Sequence, residues 1–182
     1  MANENYSLRV LYGKASESDL QQIIFGDFLK QQQNDFSVVA LDAGYKLYEN
    51  SNNTFNIYVK TGLARFDDKS IQSVYETTLY FKAYYSFFHF LRLGAAEGIS
   101  YTSGILQTEY LEAQRNQGKN SKFLNYLDLS LDFNLGKFIS YKWCDELYVG
   151  WSLKHRSGIY GLINNVEHGG SNYNAVSIEK NF

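Results

Sequence analysis

The chain contains no proline, one cysteine and no apolar run near the roughly 20 residues that a membrane-spanning helix needs. That excludes a helical membrane protein but not a barrel, whose alternating strands leave no such run. The single thiol, Cys144, has no partner for an internal disulfide and, standing in a turn, reads as incidental rather than nucleophilic. Neither sign of charge prevails: at a net charge of −2 nothing marks a phosphate-backbone partner, and no nucleic-acid role is expected. His89, His155 and His168 are too scattered to suggest a metal site, so no metal or other cofactor is expected. Met1-Ala2-Asn3-Glu4-Asn5 shows neither the basic nor the apolar part of an export leader. The length, 182 residues, suits a single domain spanning 1–182.

Aromatic side chains are in excess, with 16 Tyr and 13 Phe. Tyrosine suits the boundary between lipid and water, though an aromatic-rich soluble β protein would carry the same surplus. The pattern around them has period two. Val176, Ile178 and terminal Phe182 share one parity, while Ser177, Glu179 and Asn181 share the other, as in a half-exposed strand. A closing strand that stops on Phe resembles the last strand of bacterial outer-membrane barrels, which implies that an export leader has been removed. Turn-like clusters such as Glu49-Asn50-Ser51-Asn52-Asn53 and Asp67-Asp68-Lys69-Ser70 divide the rest. Strands are predicted at 6–13, 36–48, 54–66, 74–85, 89–101, 122–134, 147–158 and 173–182. Longer connections at 14–35, 102–121 and 159–172 fall on the outer side, and 49–53, 86–88 and 135–146 on the inner. The expected fold is all-β, an eight-stranded antiparallel up-and-down transmembrane β-barrel. Residues Leu20 to Leu29 fit either extensions of the first two strands or a short helix.

Parity sorts the side chains into two faces. Leu8, Val10, Val39, Leu41, Leu63, Leu79, Phe81, Leu93, Leu129, Trp151, Val176 and Ile178 lie on one. Arg9, Asp42, Lys46, Lys60, Glu76, Lys82, Arg92, Asp128, Asp132, Lys154 and Glu179 lie on the other. Six cations and five anions would pair inside a narrow eight-stranded lumen and close it, so no pore is expected. Parity does not say which face is inside. Strand length, the terminal Phe and the aromatic load favour the apolar face outside; a soluble barrel would reverse the two.

A few ionisable residues share the apolar parity. Lys180, near the inner end of the last strand, has a stem long enough to snorkel to headgroups. His155 and Ser157 continue the row of Leu147, Val149, Trp151 and Leu153, and Glu97 has the same parity on strand five. A His and a Ser at i, i+2 have Cβ atoms about 6.6 Å apart on one face. That is within reach for a base to take the proton of a serine nucleophile. The same two residues would equally serve as a polar rim with no chemistry.

The segment His155-Arg156-Ser157-Gly158-Ile159-Tyr160-Gly161, followed by Gly169-Gly170-Ser171-Asn172-Tyr173 and a closing strand ending in Phe182, resembles the PagL-type lipid A 3-O-deacylases. Leu93-Gly94-Ala95-Ala96-Glu97-Gly98-Ile99-Ser100-Tyr101 is similar to the small-residue strand of that family. The resemblance implies an outer-membrane esterase facing the outer leaflet, with lipid A or lipopolysaccharide as substrate, that removes the 3-O-linked acyl chain without a cofactor. The family's base and nucleophile carry over onto His155 and Ser157. Its triad acid, a Glu about ten residues before the C-terminus, is replaced by Asn172, and the nearest acid is Glu167; either would orient His155. The family's Asn after the serine is replaced by Gly158, whose backbone N–H becomes the natural oxyanion donor, with Asn164 and Asn165 as further donors. These departures leave room for an inactive structural or adhesive barrel on the same scaffold, and homodimerisation stays open. Loop 102–121, with Glu109, Glu112, Arg115 and Lys119 and the adjacent Lys122, reads as solvated, its cations in reach of lipid A phosphates.

Overall fold

The computed structural model describes residues 4–16, 18, 20–24, 36–67, 73–88 and 90–182. The period-two runs form β1 (Tyr6–Ser16), β2 (Ser37–Glu49), β3 (Phe55–Asp67), β4 (Val74–Phe87), β5 (Leu91–Thr102), β6 (Phe123–Asn134), β7 (Leu147–Ser157) and β8 (Ser171–Asn181). Each strand pairs antiparallel with the next and β8 pairs with β1, so the sheet is a closed barrel. Closure pairs every strand on both sides and leaves no edge exposed. The largest departure from the expected bounds, three residues on β1, lies at the end where β8 also begins early. There β1 runs on to Ser16 and β8 starts at Ser171, because Lys14, Ala15 and Ser16 pair with Asn174, Tyr173 and Asn172. This is the end that carries the long connections, here called the outer end.

The charged face is the inner one. Arg9 bridges Asp42 and Asp128, each at 2.8 Å, and Lys82 also pairs with Asp128. Lys60 at 2.8 Å and Arg92 at 3.3 Å share Glu179, while Lys154 meets Glu76 at 2.6 Å. Taking each ion out of water costs several kcal/mol, which only such multiple pairing offsets. Lys46 departs from this set. It stands at the inner mouth, next to a register shift between Lys46 and Tyr48, and pairs with Glu49 at 3.1 Å.

Outside, the order of an ordinary core is inverted. Leu63 is 65% exposed and Val176 62%, whereas Lys82 is 0%. The alternative of an apolar lumen therefore fails along most of the barrel. At the outer end Leu11, Val38, Ala40, Phe66 and Tyr173 form an internal apolar plug, and Tyr80, Ala96 and Tyr126 form a smaller cluster elsewhere. Aromatics gather around the inner end. Tyr6 packs on Tyr45 and on Phe182 with ring centroids at 5.5 and 6.3 Å, and Phe90 packs on Phe88 and Phe138. There the Lys180 ammonium bonds the Asp145 carbonyl.

Two connections differ from expectation. Helix α1 (Leu20–Ile24) answers the ambiguity at its own positions; 25–29, like 68–70 and His89, lie outside the described residues. Loop 102–121 is not a solvated loop. It contains helix α2 (Gln107–Arg115), with Leu106, Glu109 and Ala113 buried and Leu106 packed into the apolar plug. On the inner side, helix α3 (Leu135–Ile139) starts at Asn134, whose side chain accepts the Lys137 N–H at 3.0 Å, and Cys144 lies half-buried in the turn beyond.

Candidate active site at the outer ends of strands seven and eight

Along β7, Lys154 and Arg156 point into the barrel, so His155 and Ser157 point out. Register places His155 opposite Asn172 on β8, and Ser157 opposite Asn125 on β6. His155 Nδ1 is 2.6 Å from Asn172 Oδ1. The amide is oriented by its other end, since Asn172 Nδ2 donates to the Ser18 carbonyl at 3.0 Å. A carbonyl only accepts, so Oδ1 faces the imidazole and the Nδ1–H donates to it. That tautomer leaves the Nε2 lone pair free to act as a base.

Gly170 lies beneath both groups. A Cβ there would stand 3.7 Å from His155 Cε1 and from Ser157 Cβ, and 2.7 Å from the Arg156 carbonyl oxygen. Only glycine lets the chain enter β8 so close to β7 and leaves clear the space between base and nucleophile. Among the described residues no hydrogen bond joins Ser157 to His155. Catalytic hydrogen bonds of this kind often close only when substrate docks.

The other predicted residues are dispersed. The structure does not bring Glu167 to His155: it is exposed in the connecting loop and packs alongside Gly161, with its Cγ 3.1 Å from where a Cβ on that glycine would lie. The loop turns back through Ile159, Tyr160 and Gly161, all with left-handed φ, tied by bonds from Ile163 N–H to Gly158 O (2.9 Å) and Gly161 N–H to Val166 O (3.0 Å). Val166 is buried and its carbonyl presses on Gly158, leaving no room for a side chain after Ser157. Asn164 donates through Nδ2 to Ser121 Oγ and to the Phe123 carbonyl, both at 2.9 Å, and so ties the loop to the head of β6. Asn165, next to it with φ 54°, is exposed and makes no hydrogen bond among the described residues. Glu97 is exposed on β5, with Leu127 between it and His155 in the cross-strand row.

Sequence reasoning missed what lies behind the site. Arg156, between His155 and Ser157, donates to Ser100 Oγ at 2.8 Å, to Glu109 Oε1 at 2.6 Å and to the Lys122 carbonyl at 3.2 Å. Ser171, between Gly170 and Asn172, donates to the same Glu109 oxygen at 2.9 Å. One carboxylate on α2 thus pins the two strand ends together from inside. Burial pushes the Glu109 carboxyl up to about 7, against the opposing pull of Arg156. Asn125 was also overlooked, although its place in the apolar row of Leu127 and Leu129 was visible in the sequence. Further along the outer wall, Ala83, Tyr85, Leu93, Ala95, Leu131 and Trp151 line an apolar groove of about 520 Å³. Among the described residues no three His, Cys, Asp or Glu side chains gather into a group that would hold a metal.

No family model and no curated protein matches the chain. Solved structures match it in shape. The outer membrane enzyme PagL aligns with a TM-score of 0.59 at 10% identity, over 96% of this chain and 98% of that one. Neisserial surface protein A aligns with a TM-score of 0.52 at 12% identity, over 99% and 98%. Ail, the attachment invasion locus protein of Yersinia pestis, aligns with a TM-score of 0.50 at 10% identity, over 97% of each chain. At these identities the likeness is one of fold: the chain is a closed eight-stranded barrel similar, over nearly its whole length, to solved outer-membrane barrel proteins.

Proposed function

We propose that the chain is an outer-membrane serine esterase of the PagL type, hydrolysing the 3-O-linked acyl ester of lipid A. The observation that carries the reading is His155, held by Asn172 in the tautomer with a free Nε2, two residues from Ser157 on the outward wall. In a barrel whose outward wall meets lipid, that position lies at the headgroups of the outer leaflet, where the ester of a lipid A molecule would arrive from the side. The apolar groove supports this arrangement. Trp151 on its rim lies six residues from Ser157, about 20 Å along the strand, so an acyl chain extending down the wall from the reacting ester would run toward it.

Ser157 Oγ attacks the ester carbonyl while His155 Nε2 takes its proton, and the Asn172 oxygen holds the resulting imidazolium through Nδ1–H. The Gly158 N–H meets the developing oxyanion. His155 returns the proton to the departing sugar hydroxyl, and water activated by Nε2 then hydrolyses the acyl-enzyme, releasing a 3-hydroxy fatty acid. A neutral amide stabilises the imidazolium less than a carboxylate would, so turnover is expected to be slower than with an acid at position 172.

The lack of a Ser157–His155 hydrogen bond, together with Asn172 in place of an acid, favours a second reading: an inactive structural or adhesive barrel. Fatty-acid release from purified lipopolysaccharide in detergent, comparing wild type with Ser157→Ala, separates the two. Release that disappears in the variant supports the esterase. No release from wild-type protein that still shifts on a gel after boiling sinks it and leaves the structural reading.

A further inference from the structure

An ester attacked at Ser157 needs hydrogen-bond donors on the flank away from the base. Most groups on the β8 side and in the following loop are committed; Asn165 is unpaired among the described residues but stands exposed in the loop. His155 is held on the β8 side by Asn172 and lies over Gly170. Gly158 offers only its backbone N–H, because Val166 occupies the place of a side chain. The Asn164 amide is spent on Ser121 and Phe123.

The opposite flank is β6. There Asn125 stands directly across from Ser157 in the register. Its neighbours Leu124 and Tyr126 are 0% and 1% exposed inside the barrel, so Asn125 points outward, as Ser157 does. Opposed residues in an antiparallel pair have Cβ atoms about 4.5–5.5 Å apart. Asn125 is 6% exposed, and its amide makes no hydrogen bond among the described residues. A nearly buried, unpartnered amide in an apolar outward row is unfavourable unless something polar arrives to bind it.

We infer that Asn125 is the second oxyanion donor of this esterase, with its Nδ2–H bonding the carbonyl oxygen of the attacked acyl ester. The inference rests on the esterase reading and deepens it. As the Oγ–C bond forms, the carbonyl π pair moves onto oxygen and the serine proton passes to His155 Nε2. The Asn125 and Gly158 N–H groups hold the new oxyanion. When the pair returns, the bond from carbon to the sugar oxygen breaks and that oxygen takes the proton from His155. Asn125 exchanges no proton at any point. The base, held from β8 by Asn172, and the oxyanion donor on β6 therefore flank the nucleophile from opposite sides of β7.

The test compares the full chain, wild type, Asn125→Ala and Asn125→Asp, on lipopolysaccharide in detergent, with folding verified by the electrophoretic shift on boiling. Both variants are expected to lose about 100-fold in kcat, with KM changed less than about threefold. Asn125→Asp is the sharper variant because it keeps the shape of the side chain and removes its N–H donors; it decides the matter alone if Asn125→Ala does not fold. Labelling of Ser157 by an alkyl fluorophosphonate should slow in parallel, since its phosphoryl oxygen would use the same donors. If Asn125→Asp keeps kcat within threefold of an active wild type, Asn125 has no part in the reaction and the esterase stands without it. A folded wild type that releases no fatty acid overturns the esterase reading and this inference with it.

Discussion

Asn172 accepts the His155 Nδ1–H at 2.6 Å while donating to the Ser18 carbonyl, and both bonds are needed to keep the imidazole in one tautomer. Asn172→Ala removes both. We expect kcat on lipopolysaccharide to fall by about 10², with KM little changed; a rise in KM alone would count against an orienting role. Gly170→Val is expected to abolish hydrolysis while the barrel still shifts on boiling, since its Cβ would meet the Arg156 carbonyl oxygen at 2.7 Å and its methyls would crowd base and nucleophile. His155 and Ser157 were legible in the sequence because two polar residues broke an apolar row. The choice between Glu167 and Asn172 was not legible. Five positions separate them in the chain, but only the pairing of β7 with β8 puts Asn172, and not Glu167, across from His155.

Among the connecting elements, α2 has the largest effect on the site. Glu109 is 0% exposed and faces Arg156, Ser171, Glu76 and Glu112, and burial holds its carboxyl at about 7, above the usual value near 4.5. An acid whose value is raised on docking stabilises the docked state most below its free value and loses that contribution as pH rises through the docked one. Docking of α2 should therefore weaken between about pH 4.5 and 7. Hydrogen exchange over 107–115 is expected to show more protection at pH 5 than at pH 8 in wild type. Glu109→Gln should show the same protection at both, and a pH effect that survives in the Gln variant would remove Glu109 as its source. The helix escaped sequence reading because its buried positions include Thr108 and Glu109 beside Ala113, so no apolar stripe marks it. The inward parity of Arg156 was plain, but its partner stands 47 residues away.

For the whole barrel, stability depends on charge pairing inside and apolar surface outside. Asp128→Ala would leave Arg9 without one of its two carboxylate partners and Lys82 without its own, both buried. Breaking a buried network of this kind costs about 3–5 kcal/mol, read as a lower temperature for the boiling shift. Val10 is 50% exposed on the outward wall. Placing Arg there should cost about 2–4 kcal/mol in lipid near the midplane, measured by urea unfolding in vesicles. A Val10→Arg barrel as stable as wild type would place that wall in water.

Strand number and the assignment of charged and apolar residues to opposite faces were readable from the chain because the pleat alternates side chains within each strand, whatever lies beside it. At Ala15 and Ser16, both buried, that alternation stops, and the extension of β1 shows only in the pairing of Lys14 to Ser16 with Asn172 to Asn174. Lateral neighbours are a different matter. They depend on how far each strand is staggered when eight of them close, a property of the ring as a whole and of no single segment. The pairing of β7 with β8 and with β6 brings Asn172 to His155 and Asn125 to Ser157, and the docking of α2 puts Glu109 behind both.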